Sequence, residues 1–103
     1  RKIMVENSDA DKQIALLEFG WTSDPRPDSP YAWHAVSENE KADYLVRAYK
    51  YAKEHWRPWI GVMSLIYICN PDWDKSREEY WWSITTPEGW PRKAYYALKD
   101  MPK

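Results

Sequence analysis

Four apolar residues running into a carboxylate constrain this chain most: Ile14-Ala15-Leu16-Leu17-Glu18, with Phe19-Gly20-Trp21 directly behind. An unbroken apolar run with turn residues at both ends predicts a strand buried on both faces, the pattern of parallel sheets. Such a strand ends where its backbone reaches solvent, and Glu18 falls at that C-terminal edge. Ligands of α/β sheets gather at the same edge. Spacing leaves two readings of Glu18 open. It is either a ligand-facing carboxylate, or a residue that marks the strand's exit to water or pairs with an arginine.

The segments that follow narrow the fold. Thr22 to Ser37 contains Pro25, Pro27 and Pro30 and has no periodicity. A loop of that length is uncommon without a function. Tyr31, Trp33 and His34 lie on it, beyond the strand end that carries Glu18, so it reads as a cleft wall. The plainer alternative is a proline-stiffened connection with an exposed histidine. Ser37 and Glu40 then form a capping box that opens a helix. Ala42, Leu45, Val46, Tyr49, Ala52 and Trp56 make its apolar face, opposite Lys41, Asp43, Arg47, Lys50 and Lys53. Pro58 stops it. Ile60 to Ile68 reads as a second buried strand, which completes a βαβ unit.

Before and after this unit the signals are shorter. Arg1 to Asn7 reads as the tail of a helix, and Glu78 to Thr85 as an aromatic, β-prone segment. Thr86-Pro87-Glu88-Gly89 is a turn. Pro91 precedes a closing helix, Arg92 to Asp100, with Ala94, Tyr95, Ala97 and Leu98 on its buried face. Asp72 and Asp74 could ligate a metal, but two carboxylates without further partners fit a solvated turn better.

Charge and cysteine content exclude several classes. Fifteen basic and 16 acidic residues are mixed along the chain, with no basic block to favour nucleic acid or an anionic membrane. The longest apolar stretch, Ile60 to Cys69, is too short to span a bilayer as a helix. Cys69, the one cysteine, forms no internal disulfide and assigns no compartment. The aromatic content points the other way: eight Trp and eight Tyr stand against one Phe. Rings with a polar handle serve either core volume or ligand surfaces. Sugars suit such surfaces, because their C–H faces stack on indole while their hydroxyls take hydrogen bonds.

The order of these motifs resembles the last quarter of clan A glycoside hydrolases, retaining enzymes of the cellulase and β-xylosidase type on a (β/α)8 barrel. The matching pieces are Glu18-Phe19-Gly20-Trp21, the Ser-Glu-capped helix with Tyr44-Leu45-Val46-Arg47-Ala48-Tyr49, and the second strand. Tyr80-Trp81-Trp82-Ser83-Ile84, the Pro87-Glu88-Gly89 turn and Pro91-Arg92-Lys93-Ala94-Tyr95-Tyr96-Ala97-Leu98 continue it. The resemblance covers nearly the whole chain. It implies an α/β fold in which residues 1–103 run from the end of the sixth barrel helix through the eighth, as one partial domain.

Under that resemblance Glu18 matches the catalytic nucleophile, which attacks the anomeric carbon while a second carboxyl, roughly 5 Å away, protonates the leaving oxygen. The family's acid follows an Asn on the fourth strand, which lies outside these residues. Asn39-Glu40 sits in a helix's first turn and belongs to the capping box. Where the family often carries a tryptophan on the eighth strand, this chain has Ile66 or Tyr67. Trp21, Trp33, His34, Tyr67 and Trp73 are the candidate sugar-binding residues, and no cofactor is implied. A barrel takes about 250 residues, and the chain begins at Arg1 and not at a methionine. The expectation is therefore a piece of a longer chain, packed against the remainder of a barrel or against copies of itself. Alone, it should turn over little or no natural glycoside. A non-catalytic carbohydrate-binding or assembly module is the alternative, and a helix-covered α/β subunit with no sugar role, its aromatics serving as core, is a third.

Overall fold

Alternating exposure governs both strands of the chain. A computed structural model describes residues 1–103. In chain order it contains α1 (Lys2–Glu6), β1 (Ile14–Phe19), a 3-10 turn (Ala32–His34), α2 (Glu38–His55), β2 (Ile60–Leu65), α3 (Glu78–Trp82) and α4 (Lys93–Asp100). This is a mixed α/β domain with a two-stranded parallel sheet and four α-helices. Ile14 pairs with Ile60, Ala15 with Val62, Leu16 with Met63 and Phe19 with Leu65, with irregularities between.

One face of the sheet is covered. Phe19, Trp21 and Leu65 pack onto Ala42 and Leu45 of α2, Ile84, and Ala94 of α4, with Ala97 and Leu98 beside them. Phe19 meets Tyr49 edge-on at 5.2 Å between ring centroids. The Tyr49 hydroxyl donates to the Met63 carbonyl at 3.1 Å. The other face is bare, with Leu17 69% and Val62 53% exposed. The expectation of strands buried on both faces is therefore corrected, because a single layer of helices covers one side only. The second strand also ends at Leu65, and Ile68 lies exposed beyond it. The Ile66–Tyr67 and Arg57–Pro58 peptides are cis.

The central helix forms as its sequence dictates. Ser37 Oγ accepts from the Glu40 N–H at 3.2 Å, and the Glu40 carboxylate accepts from the Ser37 N–H at 2.9 Å. Two free donors at the helix start are thus satisfied. One residue departs from the expected pattern. Lys41, placed by periodicity on the solvent face, is fully buried.

The Glu78–Thr85 segment is also corrected. Its first part is α3, a helix and not a strand. Glu78 and Glu79 sit in its first turn, where the helix dipole favours acidic side chains. The Ser83 hydroxyl donates to the Glu79 carbonyl at 2.6 Å as the helix ends. Only Thr85 retains β character, in a single antiparallel bridge to Pro91. The turn that follows places Gly89 at φ 86°, a conformation that favours glycine.

The resulting molecule is open. It exposes 7039 Å², against about 6100 Å² for a compact protein of its mass. Its radius of gyration is 15.7 Å, where about 13 Å is usual at this length.

Candidate functional site

Three segments meet beyond the C-terminal ends of the strands. β1 contributes Glu18, whose side chain is exposed and in no ion pair. The segment after β2 contributes Tyr67 and Trp73, in edge contact at 5.2 Å. The loop after β1 contributes Tyr31, Trp33 and His34, the last two on the 3-10 turn. α3 closes the group with Trp82.

Tyr67 ties the group to Glu18. Partial burial pushes its phenol pKa up, and the charges of Glu18 and Glu79 push it further, with Tyr31 adding to the effect. The Tyr67 hydroxyl therefore stays protonated and feels the Glu18 charge across the site. On the opposite wall, Tyr31 meets Trp82 at 5.4 Å and His34 at 5.7 Å, and His34 meets Trp82 at 5.3 Å. Trp33 lies against His34 at 4.5 Å and is 83% exposed, so its ring is open to a ligand.

Close packing holds this wall. A Cβ on Gly20 would lie 3.0 Å from the Ile66 carbonyl oxygen and 3.7 Å from the Trp82 ring. A side chain here would press on the Ile66 carbonyl and meet Trp82 in ordinary contact, so glycine suits the close approach of the segments after the two strands. The loop is tied down further by Asp24, which is buried and receives the Arg26 guanidinium at 2.6 Å. Arg26 also donates to the Ser76 carbonyl at 2.5 Å. The hydrogen bond from Arg26 first, opposed by burial, holds the Asp24 carboxyl below its usual pKa.

Of the residues singled out from sequence, Glu18, Tyr67, Trp73, Trp33 and His34 belong to this end of the sheet. Trp21 does not join them. It turns onto the covered face, edge-on to Tyr44 at 5.4 Å, and lines a shallow hollow with Arg47, Ala48 and Tyr51. Tyr31 joins the wall as its loop predicts, whereas Trp82 is a wall residue for which the double tryptophan at 81–82 is the sequence signal. Asp74 accepts from the Ser76 N–H and hydroxyl, an ordinary polar turn. No group of three potential ligands gathers for a metal ion.

No family model, curated protein or solved structure matches the chain. Chemistry therefore carries the functional reading. The site offers one free carboxylate, one phenol donor and an aromatic wall. Glu79 is the other carboxylate that acts on Tyr67. It is ion-paired with Arg77 at 3.1 Å, and that hydrogen bond holds its pKa below the usual range. An acid catalyst needs the opposite shift.

Proposed function

We propose that this chain carries the nucleophile side of a retaining β-glycosidase site, as part of a (β/α)8 barrel of the clan A type. The observation that carries the reading is the Glu18 carboxylate, in no ion pair, at the end of a parallel strand on the side where Tyr67 and an aromatic wall gather. Attack by Glu18 on an anomeric carbon breaks the bond to the aglycone oxygen, which the acid/base carboxylate protonates, and gives a glycosyl ester; Tyr67 is the candidate donor toward the attacking carboxylate or the ring oxygen. Trp33, His34 and Trp73 supply stacking faces for pyranose rings. The acid/base carboxylate comes from outside these residues. The bare sheet face and the surplus surface support a further polypeptide covering this one.

Activated 2-deoxy-2-fluoro glycosides with a dinitrophenyl leaving group test this, because they need almost no acid. Intact mass measurement should show one glycosyl adduct per chain, lost in Glu18→Ala. A well-folded sample that forms no adduct with any of several sugars would count against a nucleophilic Glu18.

The lack of a second, acidic carboxyl near Glu18 and the exposure of Trp33 favour one alternative, a non-catalytic carbohydrate-binding module. It requires oligosaccharide binding that survives Glu18→Gln and weakens in Trp33→Ala. Calorimetry with an oligosaccharide panel distinguishes the two, and absence of heat with every sugar rejects the module.

A further inference from the structure

A second cleft, of about 240 Å³, lies along the first residues of β2, away from the Glu18 end of the sheet. Ile60, Met63 and Met101 give it an apolar lining. Its rim carries Lys50 and Lys53 of α2, Arg57 after it, and Lys103. No acidic residue lines it. None of these four cations forms an ion pair, although the chain as a whole carries a net charge of −1. The helix dipole accounts for cations near the end of α2. Arg57 follows directly on that helix, but the dipole does not account for Lys103, which comes from a segment distant in sequence and lines the same cleft.

We propose that this cleft binds a small amphipathic anion, with an aliphatic or single-ring body on the floor and a carboxylate or phosphate at the cationic rim. Burying the body releases water from Ile60, Met63 and Met101, and the head group pairs with Lys50, Lys53 and Arg57, while Lys103 already donates to the Leu98 carbonyl at 2.7 Å. The inference is independent of the glycosidase reading, since no residue of this cleft belongs to the Glu18 site.

The chain's three methionines provide the test. Met63 and Met101 line the cleft, and Met4 does not. With methyl-labelled methionine, NMR titration with octanoate and with octyl phosphate should move the Met63 and Met101 signals saturably and leave Met4 unmoved. The stronger of the two identifies the head group. Octanol and octylamine should bind at least about tenfold more weakly, the effect of losing two or three partly exposed charge contacts. Lys50→Gln/Lys53→Gln/Arg57→Gln should weaken the anion by a similar factor. Equal binding of octanol would make the cleft a plain apolar groove and overturn the proposal. So would movement of all three methionines, or of none. Binding only to phosphatidylglycerol vesicles, with no response to free octanoate or octyl phosphate, would replace the ligand with a membrane surface. The octanol comparison uses the unaltered chain, so it decides even where the triple variant fails to fold.

Discussion

Lys41 carries the most consequence at the scale of single residues. Its ammonium donates to Glu38 at 2.9 Å, to Ser23 at 3.1 Å and to the carbonyls of Trp81 and Ser83 at 3.0 and 3.2 Å. It thereby joins α2 to the loop after β1 and to the end of α3. Burial nonetheless pushes its pKa down, against the pull of Glu38. Burial also works against the Glu38 carboxylate. There the hydrogen bonds of Ser23 and Lys41 and the charges of Lys41 and Arg92 prevail, holding its pKa below normal. Lys41→Met strands two carbonyls and leaves Glu38 to Arg92, so it should cost about 3 kcal/mol in urea unfolding, the low end for a broken buried pair. The double variant with Glu38→Gln should recover part of that loss. Glu38 and Asp24 have folded pKa values below their ordinary 4.5 and 3.8. Their stabilisation is complete above those values and disappears as pH falls through the folded ones. The thermal midpoint should drop as pH goes below 4.5, and less steeply in Glu38→Gln. Periodicity could not reveal this lysine, because its partners lie on segments far away in the chain.

Elements were legible where their signals are local. The helix α2 follows from Ser37, Glu40 and the three- and four-residue steps of Ala42, Leu45, Tyr49 and Ala52, all of which the chain carries within itself. Ser37→Ala should cost about 1 kcal/mol, measured by unfolding, since it frees the Glu40 N–H. α3 was misread because Tyr80, Trp81 and Trp82 favour strands, while Glu78 and Glu79 at a helix start outweigh that preference. Strand positions were legible, but strand burial was not. Burial of Leu17 and Val62 depends on what covers them, and α2 and α4 both lie on the other face. The position of Glu18 at a strand end could be read directly, whereas the turning of Trp21 toward Tyr44 is set by tertiary packing.

For the whole molecule, the small core and open sheet are the governing facts. Eleven of 103 residues are buried, so the hydrophobic contribution to folding is limited. None of the eight Trp and eight Tyr is among them, although Trp21 packs against the core from its edge. The surplus of about 900 Å² over a compact protein matches one side of a standard interface. Leu17→Ser, on the bare face, should change stability by less than about 0.5 kcal/mol. It should lower any self-association seen by sedimentation velocity. A large loss of stability in that variant would mean that Leu17 is covered in solution.

The bridge from Arg26 to Ser76 makes two loops share a fate. Arg26 belongs to the loop that carries Tyr31, Trp33 and His34, and the Ser76 carbonyl to the segment that carries Trp73. A ligand that stills one of these walls should still the other through this single strut. Hydrogen exchange at residues 31–34 and 72–76 should therefore slow together with any ligand that docks on either wall. In Arg26→Ala the two stretches should respond separately, and the site would lose the shared stiffness that a rigid ring requires.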